Sequence, residues 1–148
     1  MLRERRLVDR VLRVWIRTTS NGNFPTRGQM EASIPDEDWK NCLVIAVQSP
    51  VRLSYFLFVG SNLSMAHAPN DTLAGILLSH LPQVLSERRC LMIEGRAQLH
   101  DLGIIYRSAL YPLSEDGGKI DHVLGAANYR QLRENEQLIT PLIRTRWL

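Results

Sequence analysis

Tyr106-Arg107-Ser108-Ala109-Leu110-Tyr111-Pro112-Leu113-Ser114-Glu115-Asp116-Gly117-Gly118-Lys119-Ile120-Asp121-His122-Val123-Leu124-Gly125-Ala126-Ala127-Asn128-Tyr129 reads as two strands joined by a polar turn. Asp116-Gly117-Gly118 supplies the positive backbone angles that a tight hairpin needs. The Tyr, Leu, Ile and Val residues on either side suit a pleated, partly buried surface. With the apolar run 90–99 before it, the stretch predicts a three-strand meander over 90–99, 104–113 and 120–129.

Working outward, Leu7, Val8, Val11, Leu12, Trp15 and Ile16 recur at helical spacing with arginines between them, which predicts an amphipathic helix of about four turns. Ser20-Asn21-Gly22-Asn23 ends it, and Pro25 begins an extended connector. Ser33 followed by Pro35-Asp36-Glu37-Asp38-Trp39 predicts a short capped helical turn. The uninterrupted run 42–47 fits a central strand, and 53–59 a second one rich in aromatics. A helical pattern over 72–85 contains Pro82, so a kink or two shorter helices are expected there. The order predicts an α+β fold: one five-stranded antiparallel sheet with helices on one face and an extra helix in front.

Three segments resemble a bacterial family of small PAS-domain proteins. Pro112-Leu113-Ser114-Glu115-Asp116-Gly117-Gly118 followed by Lys119-Ile120-Asp121-His122-Val123-Leu124-Gly125-Ala126 is similar to the family's last hairpin. Tyr55-Phe56-Leu57-Phe58-Val59-Gly60-Ser61-Asn62-Leu63 is similar to its second strand, which ends in a Val-Gly-Thr-x-Leu type exit. Residues 25–39 resemble the connector after its first helix. Where the family carries an Asp-Ile-Asp-Pro type sequence, this chain has Gln29-Met30-Glu31-Ala32. The resemblance implies a PAS fold that senses or interacts and does not catalyse. It also implies a stand-alone domain, since 148 residues leave no room for a kinase, cyclase or DNA-binding module. It fixes no ligand, because fold does not set function. The expected division is an N-terminal amphipathic helix over 1–22, a PAS-like sheet domain over 23–130 and a C-terminal tail over 131–148.

Composition agrees with that class. A 45% hydrophobic and 22% charged chain of this length fits one globular domain. No apolar run reaches the roughly 20 residues that span a bilayer, and arginines interrupt any signal-like N-terminus, so a cytoplasmic protein is expected. The first 17 residues hold six arginines against Glu4 and Asp9, a local +4, so the remainder of a +3 chain sums to −1. Nucleic acid is therefore not an expected partner. The helix stripe of Leu7, Val11, Leu12 and Trp15 is read as a homodimer or partner contact, packing on another chain or on its own sheet. A membrane-surface helix or a nucleic-acid arm are the other readings.

Cys42 and Cys90 sit singly inside apolar runs and are read as packing residues. No dinucleotide fingerprint, phosphate loop, nucleophile elbow or metal-binding helix is present, so no enzyme and no cofactor are expected. His80 lies where some PAS domains place a haem ligand, without a supporting pattern. His100-Asp101 is read as a turn. Asp121-His122 is read as a pair whose side chains point to opposite faces. Arg107 or Arg96, on the inner face, would clamp an acidic ligand; facing outward, each would only cross the sheet. The expected ligand-binding set is Tyr55, Leu57, Leu77, His80, Arg107, Ala127 and Tyr129, with space above Gly125-Ala126-Ala127 for a ligand or a close helix. The expected partners are a second copy, a signalling protein or a small molecule. The alternative class is a small enzyme or carrier on a cone-shaped sheet, with Asp121, Glu94 or His100 as its acid or base.

Overall fold

The computed structural model describes residues 6–47, 52–55, 73–99, 102–133, 135–136 and 142–148. Its strands are β1 (Cys42–Ala46), β2 (Arg52–Tyr55), β3 (Leu91–Leu99), β4 (Leu102–Leu113), β5 (His122–Gln131) and β6 (Leu142–Trp147). Its helices are α1 (Leu7–Thr18), α2 (Arg27–Ser33), α3 (Asp36–Trp39), α4 (Leu73–Ser79) and α5 (Leu81–Glu87). All six strands join one sheet in the order β2-β1-β5-β4-β3-β6, and every pairing is antiparallel. The α+β class and the meander are as the sequence reads. The rest of the second expected strand, 56–59, lies outside the described residues.

Successive side chains on a strand face opposite ways, and this sheet buries both faces. On one face Leu43, Ile45, Leu91, Ile93, Leu110 and Val123 meet Leu73, Leu77, Leu81 and Val84 of α4 and α5. On the other, Cys42, Val44, Met92, Ala109, Tyr111 and Leu124 meet Leu7, Val8, Val11 and Val14 of α1, with Met30 and Trp39. Helices on one face only is therefore corrected to helices on both. Chain order alone does not reveal which face a helix takes.

The α1 stripe, expected to pack on another chain or on its own sheet, packs on its own sheet. Leu7 and Val11 are 2% and 1% exposed beneath their own sheet, and Leu12 and Trp15 pack against the same cluster. Polar ties fix the helix there. Tyr111 donates its hydroxyl proton to the Val8 carbonyl at 2.7 Å, and Trp15 Nε1 donates to the Pro112 carbonyl at 2.8 Å. Arg10 reaches Asp38 with Nε at 3.1 Å and Nη2 at 2.9 Å, a two-pronged pair that locks α1 to α3. Helix α1 is thus one wall of the domain.

Two elements lie where the sequence reading placed none. Thr26 begins α2 in what was read as an extended connector. Its Oγ1 accepts from the Gln29 backbone at 3.0 Å while Gln29 Oε1 accepts from the Thr26 backbone at 2.9 Å, a reciprocal cap. The expected polar tail contains β6, which pairs with β3 from Leu91↔Trp147 to Arg96↔Leu142. Trp147 packs against the α4/α5 core. Between α4 and α5 the crossover breaks at His80, whose N–H bonds the Leu77 carbonyl at 3.1 Å. Pro82 falls in the first turn of α5, where its missing N–H is harmless, so the pattern resolves into two helices. Among the described residues no helix is long and apolar enough to cross a membrane.

The β4–β5 hairpin is organised by Asp116. Its Oδ1 accepts from the backbone of Gly118 at 2.9 Å and Lys119 at 2.8 Å, and from Ser114 Oγ at 2.9 Å. Gly117 takes φ +86°, and a Cβ there would lie 2.8 Å from Asn23 Cγ, so both conformation and space call for glycine. The backbone bonds at Lys119 and Gly118 pull the Asp116 carboxyl down to about 2 from its ordinary 3.8. A carboxylate with a depressed folded value stabilises above its unfolded value and loses that contribution as pH falls. The stability gap between the parent and Asp116→Asn should therefore be full above pH ~4 and close as pH falls toward ~2. Urea melts of both proteins across that window check this, and a gap that does not change with pH would contradict it.

Candidate functional site

The sheet separates two regions of interest. Under α4 and α5, small residues line the middle of β4 and β5, where Ala127 stands opposite Ser108 and Gly125 opposite Leu110. A Cβ on Gly125 would lie 3.1 Å from Leu43 Cδ1 and 3.2 Å from Leu77 Cδ1. The space expected above Gly125-Ala126-Ala127 is thus taken by packed leucines. Ala127 is 1% exposed within that core, and Ala126 belongs to the opposite face.

Two polar atoms in this region stand out. The Tyr106 hydroxyl and His80 Nδ1 are buried and have no hydrogen-bond partner among the described residues. Tyr106 is only 3% exposed, and burial raises its hydroxyl pKa. Nearby Ser108 shows the ordinary solution, donating to the Ile93 carbonyl at 2.8 Å. A buried polar group left unpaired is unusual in a native core.

Of the expected ligand-binding set, Leu77 and Ala127 share the helix-covered core, and His80 sits at the α4–α5 joint. Tyr129 lies across from Tyr106 at the far end of the same face and is 45% exposed. Tyr55 pairs with Leu43 at the β2 edge, and Leu57 lies outside the described residues. Arg107 does not belong with them. It alternates with Ala109 and Tyr111 and so faces the α1 side, the sheet standing between it and His80.

That side is only half covered. Beyond Met92, Ala109 and Ala126 the same alternating positions change character. Arg144, Glu94, Arg107 and Asn128 stand in one cross-strand row, and Arg96, Ile105 and Arg130 in the next. They line an open hollow of about 520 Å³. Arg107 Nε lies 3.1 Å from Glu94 Oε2. Arg130 holds Glu136 with both terminal nitrogens, at 2.7 and 2.8 Å, which keeps the Glu136 carboxyl at about 2. Arg96 was read as a site candidate beside Arg107. Arg130 and Arg144 were not, although Ile143-Arg144-Thr145-Arg146-Trp147 carries the alternation of a strand.

The groups named for catalysis are engaged structurally. Glu94 is held by Arg107 on an open face. Asp121 and His122, read as pointing apart, instead pair at 2.9 Å, Asp121 lying just before the strand, where strict alternation does not apply. Asp121 Oδ2 also accepts from the Glu115 backbone at 2.8 Å, closing the hairpin. His100 and Asp101 lie outside the described residues. The two thiols are buried. Burial, with Asp38 nearby, pushes Cys42 up to about 12, and burial raises Cys90 as well, so both stay protonated at neutral pH. No family model, curated protein or solved structure matches this chain.

Proposed function

We propose that this chain is a non-enzymatic sensor or regulatory protein of PAS type, which takes a small molecule between the sheet and α4/α5. The observation that carries the reading is the pair of unpartnered polar atoms, the Tyr106 hydroxyl and His80 Nδ1, in an otherwise apolar layer. Each offers a hydrogen bond that no described residue uses. A ligand that supplies the missing partners binds a state already built for it. The strand pair, the broken helical crossover and the meander support the same reading. So does the crossover itself, since α4 and α5 have seven residues each, too short to hold as helices without tertiary packing. A ligand that favours one packing of them would shift a population and thereby signal.

Tyr106→Phe tests this. An unpaired buried hydroxyl costs about 1–3 kcal/mol, so the ligand-free variant should gain stability of that order over the parent. Native mass spectrometry of freshly purified protein should show a bound small molecule on the parent that Tyr106→Phe lacks. A variant less stable than the ligand-free parent would show that the hydroxyl is already satisfied, and the reading would fail.

A further inference from the structure

The arginines on the opposite face carry an inference of their own. Along each strand the covered half of that face is apolar and the open half is not: Met92 gives way to Glu94 and Arg96, Ala109 to Arg107, and Ala126 to Asn128 and Arg130. Exposed strand positions usually mix both signs, whereas this hollow holds four arginines and one glutamate. The acids present do not neutralise it. Glu94 occupies Arg107 and Glu136 occupies Arg130, while Arg96 and Arg144 have no acidic partner among the described residues. The free charge thus sits on two neighbouring strands, Arg96 on β3 and Arg144 on β6.

The register sets the scale. Arg144 stands opposite Glu94, two residues from Arg96, so the two free arginines form a diagonal pair on adjacent strands about 7–8 Å apart. A single phosphate or carboxylate engages one member of that pair. Two linked anionic groups engage both free arginines, and the planar guanidinium fork grips each through two N–H bonds. A volume of about 520 Å³ falls in the range of small-molecule sites. Ile105 gives the centre an apolar floor, and Asn128 places a donor and acceptor at its rim. Neither row carries an aromatic side chain, and Tyr106 and Tyr129, which also border the hollow, alternate to the sheet's other face, so the rows offer no stacking platform for single-stranded nucleic acid. A second copy of the same face would bring arginine against arginine.

We infer that this hollow binds a compact organic polyphosphate, of the nucleoside diphosphate class, through Arg96 and Arg144. The arginines lie on the face of the sheet opposite the site proposed under α4 and α5.

Isothermal titration of the full chain at low salt, with inorganic pyrophosphate, ADP, adenosine and a single-stranded oligonucleotide, tests it. Pyrophosphate and ADP should bind at one site, ADP more tightly, and adenosine should not. Raising salt should weaken both anions. Arg96→Ala and Arg144→Ala should each lower ADP affinity at least tenfold with unchanged melting curves, and Arg96→Lys should retain part of it. Absence of pyrophosphate and ADP binding at millimolar concentration would overturn the inference, as would binding that survives both alanine variants. Oligonucleotide binding much tighter than ADP, lost in step with charge removed, would make the face a nucleic-acid surface and equally overturn it.

Discussion

Removing residues 1–20 should leave a chain without a cooperative unfolding transition. Leu7, Val8, Val11 and Val14 are between 1% and 7% exposed against the sheet. Burying such a side chain contributes about 1.5–3 kcal/mol, so the four together supply about 6–12 kcal/mol. A whole domain is stable by only about 5–15 kcal/mol. The deletion also takes the acceptor from Tyr111 and leaves Asp38 without Arg10, two polar groups stranded near a newly exposed apolar face. Circular dichroism during heating should show a broad, weak change, and the protein should aggregate. A truncated protein that melts cooperatively as a monomer would show that α1 is dispensable. Had α1 been a dimer contact, its loss would have lowered the mass and spared the fold. The two outcomes are readily told apart by light scattering.

Leu77→Ala should destabilise the protein by about 2–5 kcal/mol, the usual range for emptying a buried leucine site. Leu77 is fully buried, and its Cδ1 sits where a Gly125 side chain would need to be. In urea the midpoint should fall with little change in slope. The cavity and the glycine are coupled, so Gly125→Ala should harm the parent yet restore part of the loss in Leu77→Ala. A single-variant loss under about 1 kcal/mol would mean that α4 packs less closely than the structure has it. Additive effects in the double variant would separate the two residues. Ala127 lies inside the packed core, and enlarging it would strain the fold before it blocked any ligand.

The elements that the sequence made legible are those written in local chemistry. Asp116-Gly117-Gly118 specifies a hairpin because its bonds and positive φ lie within a few residues. Cys42 to Ile45 reads as a buried strand because no polar residue interrupts it, and Pro82 announces the helix break by what it cannot donate. The cap of α2 was equally local, since Thr26 and Gln29 stand at capping-box spacing, but Pro25 and Gly28 made the stretch read as a connector. The alternation of β6 was local too, yet two arginines among six residues disguised a strand as a tail. The candidate sites were another matter. Arg107 and Ala127 were named together from the sequence, and the sheet holds them on opposite faces. Strand periodicity states which residues share a face but not which face a distant helix will cover. Leu7 and Val11 advertised an apolar stripe without naming its partner. The partner is the sheet's own surface, brought to α1 by pairings between residues a hundred positions apart, such as Tyr111 with Val8. The same long-range choice leaves the far half of that surface bare. It thereby gathers Arg96, Arg107, Arg130 and Arg144 from four strands into one hollow, an arrangement that cross-strand register alone decides.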